Sequence, residues 1–298
     1  MADMRHEDYG VADPRLRWDA LPQDERNAAY DNNRAAFDSA EQIAKRNAGS
    51  AKFRAAHAAS LDIPYGPKER NRWDLYPGKD ASAPCLVFIH GGYWQRNSRE
   101  DFAMFAKGLQ AHGWSVALPG YSLAPEVTLT DIVAEIRLAL DWLKEQGKAH
   151  GIAGPIILSG WSAGGQLTAM ALDHPHVDAG LAISGVYELQ YLRDTNLNDA
   201  LKLTDAEIAA FSPLRLPVVD KPMTIAYGTT ELPALVNDAH ALHAKRAKTH
   251  APGVLWPVAH ANHFSILEQL ADPDGELTLA ALDLARGVKL AQRKKTKE

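Results

Sequence analysis

From about residue 61 onward, short, continuously apolar runs alternate with longer amphipathic stretches, and this alternation limits the fold more than any other feature of the chain. The first run, Cys85-Leu86-Val87-Phe88-Ile89, has no polar position, so it is expected to be buried on both faces. Strands of that kind belong to parallel sheets whose crossover helices cover both sides. Further runs at 115–118, 155–158, 180–184, 223–227 and 254–258 read as strands, and helices are expected over 101–112, 130–146, 165–172, 236–248 and 277–291. In 130–146, Ile132, Ile136, Leu140 and Leu143 recur at helical spacing, and Gly147 closes the stretch. The expected fold class is therefore α/β, a mostly parallel central sheet flanked by helices.

Residues 1–58 have a different texture. They are polar and Ala-rich, with two helix-like stretches at 24–33 and 39–57 and few large apolar residues. Such a segment cannot build a core of its own, so it is expected to lie across the main body as a helical arm or cover. The expected organisation is an arm over 1–58 and a catalytic domain over 59–298.

Composition narrows the partners. With 32 basic and 37 acidic side chains the formal net charge is −5, which offers no basic face for phosphate neutralisation, so nucleic acid is not expected as a partner. No stretch approaches a membrane span and Met1–Gly10 lacks the apolar segment of a leader, so a cytoplasmic protein is expected. The basic tail Arg293-Lys294-Lys295-Thr296-Lys297 reads as a solvated helix end. The single cysteine, Cys85, lies in the apolar run and reads as a small buried hydrophobe. A small-molecule substrate is the expected partner; a homodimer is compatible with this composition.

The chemistry is concentrated after the strand runs. Gly160-Trp161-Ser162-Ala163-Gly164 falls between the run at 155–158 and the helical stretch at 165–172. A serine hydroxyl is a weak nucleophile, and a strained strand-to-helix turn exposes it while aiming the next amide, that of Ala163, at a developing oxyanion. His90-Gly91-Gly92-Tyr93-Trp94 follows the first buried run, where the amides of Gly91, Gly92 or Tyr93 can complete an oxyanion hole. The remaining partners are expected in the order acid, then histidine. Glu231, in the loop after 223–227, is preferred as the acid over Asp238, which falls on the next helix. His263 is preferred as the base over His260 because it lies further out on the loop after 254–258, ahead of apolar Phe264-Ser265-Ile266-Leu267. His260 and His263 lack the companion ligands of a metal site, and the pairs His240/His243 and His174/His176 read as surface residues, so no metal and no cofactor are expected.

These motifs resemble the α/β-hydrolase superfamily and, within it, the kynurenine formamidase (arylformamidase) family. The resemblance is carried by Leu61-Asp62-Ile63-Pro64-Tyr65-Gly66, Asp74-Leu75-Tyr76, His90-Gly91-Gly92-Tyr93-Trp94, Tyr121-Ser122-Leu123-Ala124-Pro125, Ser162-Ala163-Gly164-Gly165, Ser184-Gly185-Val186-Tyr187-Glu188-Leu189 and Ser212-Pro213. It covers about residues 61–267 and, more faintly, 30–36. It implies an α/β-hydrolase fold with Ser162 as nucleophile, Glu231 as acid and His263 as base. The implied reaction is hydrolysis of an N-formyl aryl amide, N-formylkynurenine giving kynurenine and formate, with Gly92 and Ala163 amides on the oxyanion. A small-ester carboxylesterase or another amidase is the alternative, since this machinery serves many acyl groups. The chain departs from the pattern in two places: Glu231 stands where many relatives have Asp, and Trp161 where histidine is commoner. Tyr93, Trp94, Tyr121 and Trp161 are candidates for an aromatic wall around the substrate.

Overall fold

The computed structural model describes residues 13–57 and 60–295. Met1–Gly10, the arm boundary at 58 and the end of the basic tail lie outside the described residues. Eight strands form one sheet: β1 (Ile63–Pro64), β2 (Arg72–Tyr76), β3 (Cys85–Ile89), β4 (Ser115–Pro119), β5 (Ile156–Trp161), β6 (Ala179–Ile183), β7 (Met223–Gly228) and β8 (Gly253–Val258). Their spatial order is β1-β2-β4-β3-β5-β6-β7-β8. β1 pairs antiparallel with β2 and β2 with β4; every other pairing is parallel.

The helices are α1 (Gln23–Ala28), α2 (Asn32–Ala35), α3 (Ser39–Ala55), α4 (Lys107–Ala111), α5 (Leu129–Gln146), α6 (Ala163–Met170), α7 (Asn198–Leu201), α8 (Asp205–Phe211), α9 (Pro233–Lys248), α10 (Glu268–Ala271) and α11 (Glu276–Lys295). The strand period of two sorts side chains into two cores. On β3, Cys85, Val87 and Ile89 face one core with α5, α6 and α9, whereas Leu86 and Phe88 face the other with α11 and residues 99–111. The fully buried β3 thus has apolar contacts on both faces, as its composition requires.

Several elements differ from the expected pattern; the stretch expected as one helix over 24–33, for instance, is split into α1 and α2. The stretch 101–112 begins as a 3-10 helix, Arg99–Ala106, before turning into α4. Ser50 of α3 causes this: its hydroxyl donates to the Asp101 carbonyl at 2.8 Å and accepts from the Met104 amide at 3.2 Å, taking both groups out of a regular α-helical ladder. α8 was not expected, although Thr204-Asp205-Ala206-Glu207 carries a capping box in which Thr204 and Glu207 satisfy each other's amides.

The strand order changes direction between β3 and β5. Connections from β3 lead one way to β4 and those from β5 the other way to β6, so the loops leaving the carboxyl ends of β3 and β5 diverge and open a crevice. Both glycine-rich motifs occupy those loops.

Residues 13–57 rest on this end of the sheet. Arg15 bonds Asp13 and Asp238 through buried ion pairs. Arg54 of α3 meets Asp74 at 2.7 Å, and Asp74 is also held by Arg99 at 3.0 Å. Among the described residues, no helix is long and apolar enough to cross a membrane.

Candidate active site

Ser162 stands between β5 and α6 with φ 58° and ψ −119°, a conformation that a non-glycine residue adopts only when its surroundings impose it. Its amide donates to the Ile183 carbonyl of β6 at 2.9 Å, and its carbonyl accepts from Gly165 and Gln166 at 2.9 and 3.1 Å. Side chains are excluded around this turn. A Cβ at Gly160 would lie 2.2 Å from the Gly164 carbonyl oxygen, and one at Gly164 would lie 2.0 Å from that of Ile89. Ala163 heads α6, where its amide has no intrahelical carbonyl to meet.

The loop after β3 presses against the serine turn. A Cβ on Gly91 would approach the Trp161 carbonyl oxygen to 2.6 Å and Ser162 Cβ to 2.8 Å. Gly92, Tyr93 and Trp94 follow with φ of 120°, 50° and 57°, a tight left-handed run that turns the chain back. The run is clamped from outside: Tyr121 Oη donates to the His90 carbonyl at 2.9 Å and Asn97 Nδ2 to that of Gly91 at 3.1 Å.

The candidate acid and the candidate base lie in contact. Glu231 Oε2 lies 3.0 Å from His263 Nδ1, while its Oε1 accepts from Ser184 Oγ at 2.6 Å and from the Gly228 amide at 2.7 Å. A carboxylate facing Nδ1 fixes the proton there and leaves Nε2 as the basic nitrogen. Trp161 Nε1 donates to the His263 carbonyl at 2.7 Å, and the two rings meet at a tilt of 36° with centroids 4.7 Å apart. Asp238 is committed elsewhere: on α9 it accepts from the Tyr187 and Glu188 amides and pairs with Arg15. His260 is exposed, with its amide on Thr229. The other histidine pairs lie away from the site, His174 and His176 beside Asp141, and His240 on the Tyr227 hydroxyl.

Ser162 and His263 line one cavity of about 540 Å³ together with Gly92, Tyr93, Trp161 and Phe264. That volume falls within the range of small-molecule sites. The proposed aromatic wall needs correction. Tyr93 and Trp161 do line the cavity, but Trp94 is fully buried in the core and Tyr121 lies behind His90, stacked on its ring at 4.2 Å. The left-handed turn at Tyr93 and Trp94 sends the Trp94 ring inward. Phe264 takes a place on the wall instead. Tyr30, Asn32 and Arg46 of the arm complete the enclosure, and Tyr93 is tied to them, its hydroxyl donating to the Tyr30 carbonyl at 2.7 Å and accepting from Asn32 Nδ2 at 3.0 Å.

Comparison with known proteins places the chain among hydrolases. A family model described as BD-FAE matches residues 74–182. The kynurenine formamidases of Danio rerio and Salmo salar are 27% and 28% identical to this chain, each alignment covering 90% of it and 98% of the relative. A solved structure from Silicibacter sp. TM1040, named provisionally as a thioesterase, is 30% identical with a TM-score of 0.75, covering 84% of this chain and 96% of that one. The chain belongs to the α/β-hydrolase superfamily, in its kynurenine formamidase-like family. It is a hydrolase. Within this family frame the sequence motifs acquire positions: the glycine-rich loop after β3, the serine turn after β5, and the carboxylate and histidine after β7 and β8. Two contributors to the site carried little signal. Ser184, with φ 52°, holds the free oxygen of Glu231, and it stands in a motif that suggested no role for it. Arg46 comes from a polar helix whose pattern gives no hint that it faces a cavity.

Proposed function

We propose that this hydrolase cleaves an N-formyl aryl amide, N-formylkynurenine being converted to kynurenine and formate, as a step of tryptophan catabolism. The observation that carries the mechanism is the 3.0 Å contact between Glu231 and His263 Nδ1, His263 lining the same cavity as Ser162. Ser162 Oγ attacks the formyl carbon as His263 Nε2 takes its proton. The Gly92 and Ala163 amides receive the negative oxygen of the tetrahedral intermediate. When the C–N bond breaks, His263 returns the proton to the departing aryl amine and a formyl ester remains on Ser162. Water then loses a proton to His263 and attacks that ester, releasing formate and restoring the serine hydroxyl. Tyr93, Trp161 and Phe264 supply apolar ring faces for the aryl group. The reading is supported by the two formamidases, whose similarity runs along nearly the whole chain.

The test is kcat/KM on N-formyl-L-kynurenine beside p-nitrophenyl acetate, with Ser162→Ala as the blank. Preference for the formamide by orders of magnitude is the expected result. Brisk ester cleavage with slow formamide turnover, both absent in the blank, would move the function to an esterase of the same fold.

A further inference from the structure

Arg46 is a buried cation that no carboxylate among the described residues pairs. Arg15 and Arg99, also buried, meet carboxylates, and Arg246, which meets none among the described residues, donates to the backbone carbonyls of Val219, Lys221 and Pro252. Arg46 is just 7% exposed and, among the described residues, no carboxylate lies within 4.0 Å of its guanidinium. Its hydrogen bonds go to neutral amides, Nε to Asn47 Oδ1 at 3.0 Å and Nη2 to Asn97 Oδ1 at 3.4 Å, and its head lies 4.3 Å from the centre of the Phe102 ring. Asp101 attracts it from a distance, but that carboxylate is engaged by Ser98; Glu268 is paired with Lys45. Taking a cation out of water without a counter-ion is costly, and a guanidinium keeps donors that an anion can fill.

Arg46 lines the cavity that holds Ser162 and His263. Arg34 and Arg96, both exposed, stand on the same lining against the single acid Asp31, so the cavity has a positive rim in a chain whose formal net charge is −5. Local charge of one sign concentrates ligands of the other.

We infer that Arg46 is a specificity residue which binds a carboxylate on the substrate, remote from the bond that is cleaved, with Arg34 and Arg96 drawing that anion to the mouth. An aryl amide or ester whose side chain ends in a carboxylate, as that of N-formylkynurenine does, meets this requirement. The inference rests on the proposed serine chemistry at the same cavity, but not on the acyl group being formyl.

A rival structural role is also visible: Arg46 touches Asn97, whose Nδ2 holds the Gly91 carbonyl, so the arginine could act by supporting the oxyanion loop. The experiment separates the two roles with matched substrates. One pair is ortho-acyl formanilides ending in a carboxylate or the neutral primary carboxamide; the other is 4-acetoxybenzoate and 4-acetoxybenzamide. Wild type should favour the carboxylate of each pair it cleaves. In Arg46→Met the carboxylate-to-carboxamide ratio of kcat/KM should fall tenfold or more, mainly through KM, and Arg46→Lys should restore part of it. If the Met variant does not fold, Arg46→Lys alone decides, since losing the planar fork should still lower the ratio about threefold. Equal losses on both members of a pair, chiefly in kcat, would overturn the inference in favour of loop support, as would a wild-type enzyme indifferent to the carboxylate. Cleavage of the esters alone, with the ratio shifted as stated, would leave Arg46 in its role and refute the formamidase reading.

Discussion

Replacing His90 by phenylalanine should change how stability depends on pH. His90 is 1% exposed and lies between Tyr121 and Phe102, with ring centroids at 4.2 and 5.9 Å. Its Nδ1 donates to the Gly91 carbonyl at 2.8 Å, while Nε2 is buried with no hydrogen-bond partner among the described residues. Burial, reinforced by nearby arginines, pushes the imidazole down to about 3. In the unfolded chain it titrates near 6.5. Below pH 6.5 the unfolded state takes up a proton that the native state refuses, so this group's stability is complete above 6.5 and is lost as pH falls towards 3. Each pH unit in that window is worth about 1.4 kcal/mol, so at pH 5 the loss from this one residue is about 2 kcal/mol. Phenylalanine preserves the stack and fills the place of the unpartnered nitrogen, at the cost of the bond to Gly91, about 1 kcal/mol. Urea unfolding of both proteins at several pH values from 7 to 5 provides the comparison. Wild type should be the more stable at pH 7 and His90→Phe at pH 5, the two curves crossing between. Parallel curves would refute the reasoning, since they would mean that His90 is protonated as readily when folded as when unfolded.

Three other perturbations probe the site and its support. Glu231→Gln should lower kcat by about 10³-fold or more, whereas Asp238→Asn should chiefly lower the urea midpoint; the opposite pattern would reassign the acid. Arg15→Met strands the buried Asp238 and should cost about 3–5 kcal/mol in urea unfolding, and a loss under about 1 kcal/mol would show that the arm is not anchored there. Gly164→Ala places a Cβ 2.0 Å from the Ile89 carbonyl oxygen, where only backbone can give way. It should cost about 3 kcal/mol or more with a matching collapse of kcat, and an enzyme of normal stability and rate would contradict the tight packing of the serine turn.

The architecture was legible because its signals are local. A run such as Cys85-Leu86-Val87-Phe88-Ile89 can be stable only between two apolar layers, and the observed strand has the same bounds. Ser162 was recognisable for the same reason: Gly160 and Gly164 stand where neighbouring carbonyls leave no room for a side chain, so the motif records a steric demand made within a few residues. The order of the loops carrying Glu231 and His263 followed from strand succession along the chain.

What local pattern could not settle is which side chains face each other across the fold. Glu231 and Asp238 were both plausible acids on sequence alone; only the packing of β7, α9 and the loop after β8 sends one carboxylate to His263 and the other to Arg15. Trp94 and Tyr121 share loops with cavity residues, yet backbone turns of positive φ at Tyr93 and Trp94 and the stack on His90 turn both rings into the interior. Arg46 lies on a polar helix that reads as surface until α3 docks on residues 99–106 and closes it against the cavity. The amino-acid sequence by itself determined the layered α/β sheet and the turn that bears the serine, because backbone sterics and apolar burial act over short separations. Tertiary structure decided which carboxylate meets the histidine, which rings line the cavity and which cation is buried beside it, because those depend on distances between residues far apart in the chain.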